Sequence, residues 1–182
     1  MLKPSVHWWE YEDRHCCQEI IEGVFLGPST IARDSSILSS NRISDIIIAR
    51  SEREKSFIKP REHPVPVTYH VIDIDDSPVA SCMSSFTLFL DLMKFLKNKR
   101  VLVIGMTGMN RSAALLCVLV VAKFSLTLSA AIEYMISRRR CVSISQNVVR
   151  QIDEFATAKI ATTGILATQS SAVNRKRSSE LV

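Results

Sequence analysis

The sequence has 182 residues and a mass of 20.4 kDa, with 47% hydrophobic and 23% charged residues. That is the composition of one globular domain and excludes wholesale disorder, while five glycines and six prolines exclude collagen-like or low-complexity material. Twenty-three Lys and Arg against eighteen Asp and Glu give a formal charge of +5 and a pI near 9.1, which favours anionic partners without choosing among phosphate groups, acidic peptides and nucleic acid.

The longest apolar run, Ala113 to Ala122, stops at Lys123 and is about half the ~20 residues a membrane span needs. Lys3, His7, Trp8, Trp9, Glu10 and Glu12 leave no apolar signal-peptide core near the N-terminus, so an intracellular protein without a membrane segment is expected. Cys16, Cys17, Cys82, Cys117 and Cys141 form no C-x-x-C pair, and His7, His15, His63 and His70 have no ligand spacing. Neither a disulfide framework nor a metal site is expected.

Residues 1–18 read as an irregular, aromatic and charged arm, residues 19–161 as the domain, and residues 162–182 as a flexible Ser/Thr-rich tail with a short basic cluster at Arg175-Lys176-Arg177. Gly23 to Pro28 reads as a short strand ended by a Gly-Pro turn. Ser29 or Thr30 is positioned to cap a helix carrying Ile31, Ile37 and Leu38. Ile46 to Ala49 is a continuous apolar run suited to a buried parallel strand, and Val67 to Ile74 is a second strand candidate. Phe86, Leu88, Phe89, Leu92, Phe95 and Leu96 mark a helix between Ser84 and Lys97, with an apolar stripe at helical spacing. Arg100 to Ile104 holds the most apolar strand, and helical patterns follow near 111–123, 127–138 and 146–160. Strands alternating with helices predict an α/β fold, a largely parallel twisted sheet flanked by helices.

The chemistry concentrates in Val101-Leu102-Val103-Ile104-Gly105-Met106-Thr107-Gly108-Met109-Asn110-Arg111-Ser112. This is a buried strand, a tight loop and an Arg-Ser that opens a helix. Backbone N–H groups of such a loop, the helix N-terminus and a guanidinium fork all suit a tetrahedral oxyanion. Two familiar phosphate loops do not fit. A nucleotide-binding loop needs G-x-x-x-x-G-K-[ST], and a dinucleotide fingerprint needs G-x-G-x-x-G. The pattern C-x-x-G-x-x-R-S does fit, with one departure: the cysteine position is Gly105.

On these residues the sequence resembles the dual-specificity protein phosphatases, and within them the pseudophosphatases whose nucleophilic cysteine is replaced by glycine. The likeness spans Ile20 to Phe155. It includes Ile21 to Pro28, Phe57-Ile58-Lys59-Pro60, Ile72 to Val79, the loop Gly105 to Ala114, and the basic run Arg138-Arg139-Arg140. Two positions depart: Ile104, where His is usual, and Gln146, where Pro usually precedes the Asn seen as Asn147.

The resemblance implies a cysteine-dependent phosphatase-like fold. In active members a thiolate attacks phosphorus, the loop amides and Arg hold the oxygens, and an Asp protonates the leaving group. Gly105 has no side chain to make a covalent intermediate, so no functional catalytic residue is expected. Thr107 and Ser112 lack a visible base, and Cys117 lies on the helix body. Asp76 matches the general-acid position as a vestige; with Asp73 and Asp75 adjacent, their roles stay open. A solvated loop carboxylate is the favoured reading of Asp76. Gly105, Met106, Thr107, Gly108, Met109, Asn110, Arg111 and Ser112 form the expected phosphate-binding loop. The competing role for Arg111 is to pin the loop through backbone carbonyls. Arg138-Arg139-Arg140 read first as cations at a helix C-terminus and second as a basic rim for an acidic partner.

The expected function is binding of phosphorylated Ser, Thr or Tyr proteins without hydrolysis, as competitor, anchor or scaffold in signalling. The alternative is residual or non-cysteine phosphatase activity towards phosphotyrosine or phosphothreonine. No cofactor, no nucleic acid and a monomer are expected. The resemblance implies partners such as phosphorylated mitogen-activated-type kinases, in cytoplasm and nucleus.

Overall fold

A computed structural model of the chain describes residues 11–158. A five-stranded sheet forms its centre, in the order β1-β2-β5-β3-β4: β1 is Gln18–Ile21, β2 Val24–Pro28, β3 Asp45–Arg50, β4 Thr68–Asp73 and β5 Val101–Gly105. β1 runs antiparallel to β2, and every other pairing is parallel. The expected α/β sheet with helices on its faces is therefore present, and its mixed edge comes from the β1–β2 hairpin.

β5 is apolar throughout and β3 is apolar between its end residues Asp45 and Arg50, because alternate residues pack into different layers. Ile47, Ala49, Val101 and Val103 face one layer, where α2 (Met83–Phe95), α3 (Arg111–Phe124) and α4 (Leu128–Arg138) supply Phe86, Phe89, Leu116, Val120, Ala131 and Met135. Ile46, Ile48, Leu102 and Ile104 face the other layer, with Phe25, Ile31 and Leu38. A strand covered on both faces reads as a near-continuous apolar run, and Asp45, buried at the first position of β3, is paired with His70 Nε2 at 2.9 Å. Ile104, 1% exposed, belongs to the second layer.

A helix labelled α5 covers 146–158 and contributes Val148, Ile152 and Phe155 to the first layer. No single helix among the described residues is long and apolar enough to cross a membrane.

Most elements fall where the sequence patterns put them. The helix expected after Pro28 is instead two pieces, a 3-10 turn over Ser29–Arg33 and then α1 over Ser35–Ser40. The cap is Asp34, whose carboxylate accepts from Ser36 N at 3.0 Å and Ile37 N at 3.1 Å. Ser29 and Thr30 do not cap it. The arm residues from Tyr11 onwards are held to the domain, with a 3-10 turn over Tyr11–Arg14. Trp8, Trp9 and the tail expected at 162–182 lie outside the described residues.

Candidate functional site

β5 ends at Gly105, residues 106–110 bend, and α3 begins at Arg111. Gly108 sets the shape of this loop. Its φ is +67°, and a Cβ there would stand 2.5 Å from the carbonyl carbon and oxygen of Gly27. Only glycine permits so close an approach of loop to strand. Across the domain, Met109 O accepts from Ser143 N at 3.0 Å.

The amides of Thr107, Gly108, Met109 and Asn110 find no protein acceptor among the described residues. They stand at the N-terminus of a 14-residue helix, the positive end of its dipole. Ser112 is 1% exposed, and its Oγ, like Arg111 Nε, is buried without a hydrogen-bond partner among the described residues. Buried polar atoms are rarely left unpaired. Several donors around one loop make an anion cradle.

Arg111 bonds no backbone carbonyl among the described residues. Its Nη1 donates to both carboxylate oxygens of Asp76 at 2.9 and 3.0 Å. Its Nη2 donates to Glu54 Oε1. Asp76 also accepts from Asn110 Nδ2 at 2.8 Å. The solvated-carboxylate reading of Asp76 is therefore corrected: the carboxylate is clamped onto the loop, with its side chain 22% exposed. Its neighbours are excluded from this contact. Asp73 pairs with Arg50 at 3.0 Å and Lys55 at 3.2 Å. Burial raises the pKa of Asp73, but those two cations outweigh it and hold the pKa below its ordinary value. Asp75 accepts from Ser77 N.

Glu54 is the site residue that sequence reasoning missed. It lies on a 3-10 turn over Glu52–Glu54 and is 3% exposed. Its Oε2 accepts from Ser51 N at 2.7 Å, half of a capping box. The pattern Ser51-x-x-Glu54 is the signal that marks it.

Asn110 does not cap α3 with its side chain. Its Oδ1 accepts from Ser145 N at 2.9 Å while its Nδ2 holds Asp76, so it ties two loops together. α5 braces the Asp76 loop from behind. Asn147 Nδ2 donates to Ser77 O at 3.0 Å and Gln151 Nε2 to Ala80 O at 3.1 Å.

Arg139 is 1% exposed and so is no part of a basic rim. It donates to Gly108 O at 3.0 Å, Thr107 O at 3.1 Å and Cys16 O at 2.8 Å, and reaches Asp13 O and Gln18 Oε1. Burial pulls its pKa below the ordinary arginine value. Arg138 and Arg140 remain exposed. Met106 is 47% exposed and Thr107 half-buried. Cys117 is fully buried and its pKa is pushed up to about 12 by burial, so it carries no thiolate near neutral pH. Gly105 is buried, and a Cβ there would meet Ser112 Oγ at 2.9 Å. No group of three or more His, Cys, Asp or Glu among the described residues is placed to hold a metal ion.

The sequence matches the family model for the dual specificity phosphatase catalytic domain over residues 24–158. It is 33% identical over 164 residues to the serine/threonine/tyrosine-interacting protein of Homo sapiens, covering 87% of this chain and 73% of that one. Its Pongo abelii counterpart is 34% identical over 164 residues, with the same coverage. The crystal structure of the human tyrosine phosphatase-like serine/threonine/tyrosine-interacting protein superimposes with a TM-score of 0.73 at 31% identity, covering 79% of this chain and 97% of that chain. With its β5–loop–α3 motif on that shared fold, the chain belongs to the dual specificity phosphatase family.

Proposed function

We propose that this protein recognises phosphorylated Ser, Thr or Tyr side chains on other proteins and does not hydrolyse them. The observation that carries the reading is Gly105 at the end of β5, beside an otherwise complete oxyanion cradle. Free loop amides, the unpaired Ser112 Oγ and the Arg111 guanidinium support binding. A hydrogen atom in place of a side chain at 105 supports inactivity, because no nucleophile stands in line. Neither Cys117, buried and protonated, nor Ser112, without a base, replaces it.

Binding is a competition. Arg111 is shared between Asp76 and Glu54, and a phosphate must displace at least the Asp76 carboxylate to receive a bidentate fork. The protein would then act as a competitor, anchor or scaffold in phosphorylation signalling, in cytoplasm and nucleus. The relatives' name says that they interact with serine, threonine and tyrosine, and phosphorylated mitogen-activated-type kinases are the partner class this reading favours.

The test is a titration of phosphotyrosyl and phosphothreonyl peptides beside a phosphate-release assay. The expected result is saturable binding without release. Arg111→Ala should lose at least about tenfold in affinity, since a charge-assisted hydrogen bond contributes about 1.5–3 kcal/mol. Arg111→Lys, which keeps a charge near Glu54, should lose the fork and most of the affinity while remaining folded. Wild-type turnover above that of Arg111→Ala would overturn the reading in favour of residual phosphatase activity.

A further inference from the structure

β5 joins two unlike ends of the sheet. Gly105 closes it at the phosphate cradle, and Arg100 precedes it, about 16 Å from Gly105 at ~3.3 Å per residue. At that far end the chain encloses a groove of about 710 Å³, within the range of small ligand and side-chain pockets (about 300–1,000 Å³). Its floor is aliphatic, from Ile21 and Val24 of the hairpin, Leu90 and Leu96 of α2 and the turn after it, and Leu119 and Ala122 of α3. Lys94, Lys97, Lys99, Arg100 and Lys123 line it against a single carboxylate, Glu22.

These cations are not equally committed. Lys94 pairs with Asp91 at 2.8 Å. Arg100 lies over the Phe25 ring and bonds Asn41 O. Lys97, Lys99 and Lys123 have no carboxylate within 4.0 Å among the described residues. Lys94 and Lys123 fall in the last turns of α2 and α3, where a cation offsets the helix dipole. That role leaves the Lys123 ammonium able to meet an anion. Phe95, between Lys94 and Leu96 in the chain, is 81% exposed, and Leu88 on the same helix is 55% exposed.

We propose that this groove binds an acidic peptide segment of a partner protein, anchored by an aliphatic side chain in the floor and by Asp or Glu side chains on Lys97, Lys99 and Lys123. Charge complementarity selects the acidic partner, and the aliphatic floor selects the anchor. The groove carries no aromatic residue on which a nucleobase would stack. Its cations ring a depression from three elements rather than line one helix face, which is the form a bilayer surface favours. The site is separate from the phosphate cradle and needs no phosphorylation.

A fluorescein-labelled, unphosphorylated peptide of about a dozen residues, two Leu flanked by Glu and Asp, tests this on the full chain by anisotropy. It should bind the wild type and weaken at ~0.5 M salt. Lys97→Glu/Lys99→Glu should lose about tenfold, because two attractive exposed pairs become repulsive. Arg111→Ala should leave binding unchanged. Circular dichroism checks that each variant is folded, which the exposure of Lys97 and Lys99 leads one to expect of the double variant. Wild-type strength in the double variant would overturn the proposal. So would equal binding of a peptide with Ser for Leu, or binding of single-stranded oligonucleotide or 4:1 phosphatidylcholine–phosphatidylserine vesicles in preference to the peptide.

Discussion

Asp76→Asn isolates the competition inside the cradle. In the wild type, Arg111 Nη1 holds both Asp76 oxygens at 2.9 and 3.0 Å, with the two side chains 17% and 22% exposed. An amide keeps the shape and one acceptor but removes the charge. A charge-assisted bond contributes about 1.5–3 kcal/mol and a neutral one about 0.5–1.5, so Arg111 is released by about 1–1.5 kcal/mol. A phosphate dianion also escapes repulsion by a carboxylate at the same atom. The variant should therefore bind a phosphotyrosyl peptide about five- to tenfold more tightly than wild type, still without releasing phosphate. Anisotropy titration of the labelled phosphopeptide measures it. Asp75→Asn is the control, because among the described residues the Asp75 carboxylate accepts from Ser77 N alone, so the variant should change nothing. Unchanged or weaker binding by Asp76→Asn would show that Asp76 does not oppose the ligand, and the account of a self-occupied Arg111 would fail.

Gly105→Cys restores a thiol at the cradle, and slow release of phosphate from an aryl phosphate is expected, abolished by adding Arg111→Ala. The gain is limited because the new Cβ stands 2.9 Å from Ser112 Oγ and Ser112 must turn aside. Phosphate bound with no phosphocysteine detectable by mass spectrometry would contradict the assigned register. Arg139→Met should lower unfolding free energy by about 3 kcal/mol or more, since it strands buried carbonyls of Thr107 and Gly108; a denaturant midpoint within error of wild type would refute this. In native protein at neutral pH, iodoacetamide should label exposed Cys16 first and leave Cys117 unmodified. Peptide mapping reads the order, and early labelling of Cys117 would contradict its burial.

The strands that carry the loop were legible because they are apolar at every position, a pattern that survives wherever a strand is covered on both faces. β1 was not. Gln18-Glu19-Ile20-Ile21 has two polar residues in four and gains its strand character from pairing with β2 across the Gly23 turn, where φ is +75°. The oxyanion loop was readable from Gly108, Arg111 and Ser112, since each is demanded by local geometry. Its counter-charges were harder. Asp76 was recognised by position, yet its clamp depends on a loop packed from α5. Glu54 sits in the run Glu52-Arg53-Glu54, which reads as solvated until Arg111 draws one member inward. Of three successive arginines, only the fold distinguishes the one that turns into the protein.

Arg139 gives that fold an unobvious edge. It grips Thr107 and Gly108 with the same guanidinium that grips Asp13 and Cys16. The bonds cross the limit at residue 18 where pattern alone would cut the chain. A fragment trimmed to begin at residue 19 would strip a sequestered cation of its upstream acceptors and slacken the clasp beneath the anion seat. Ligand measurements on such a shortened protein would report a different loop from the one intact chains carry.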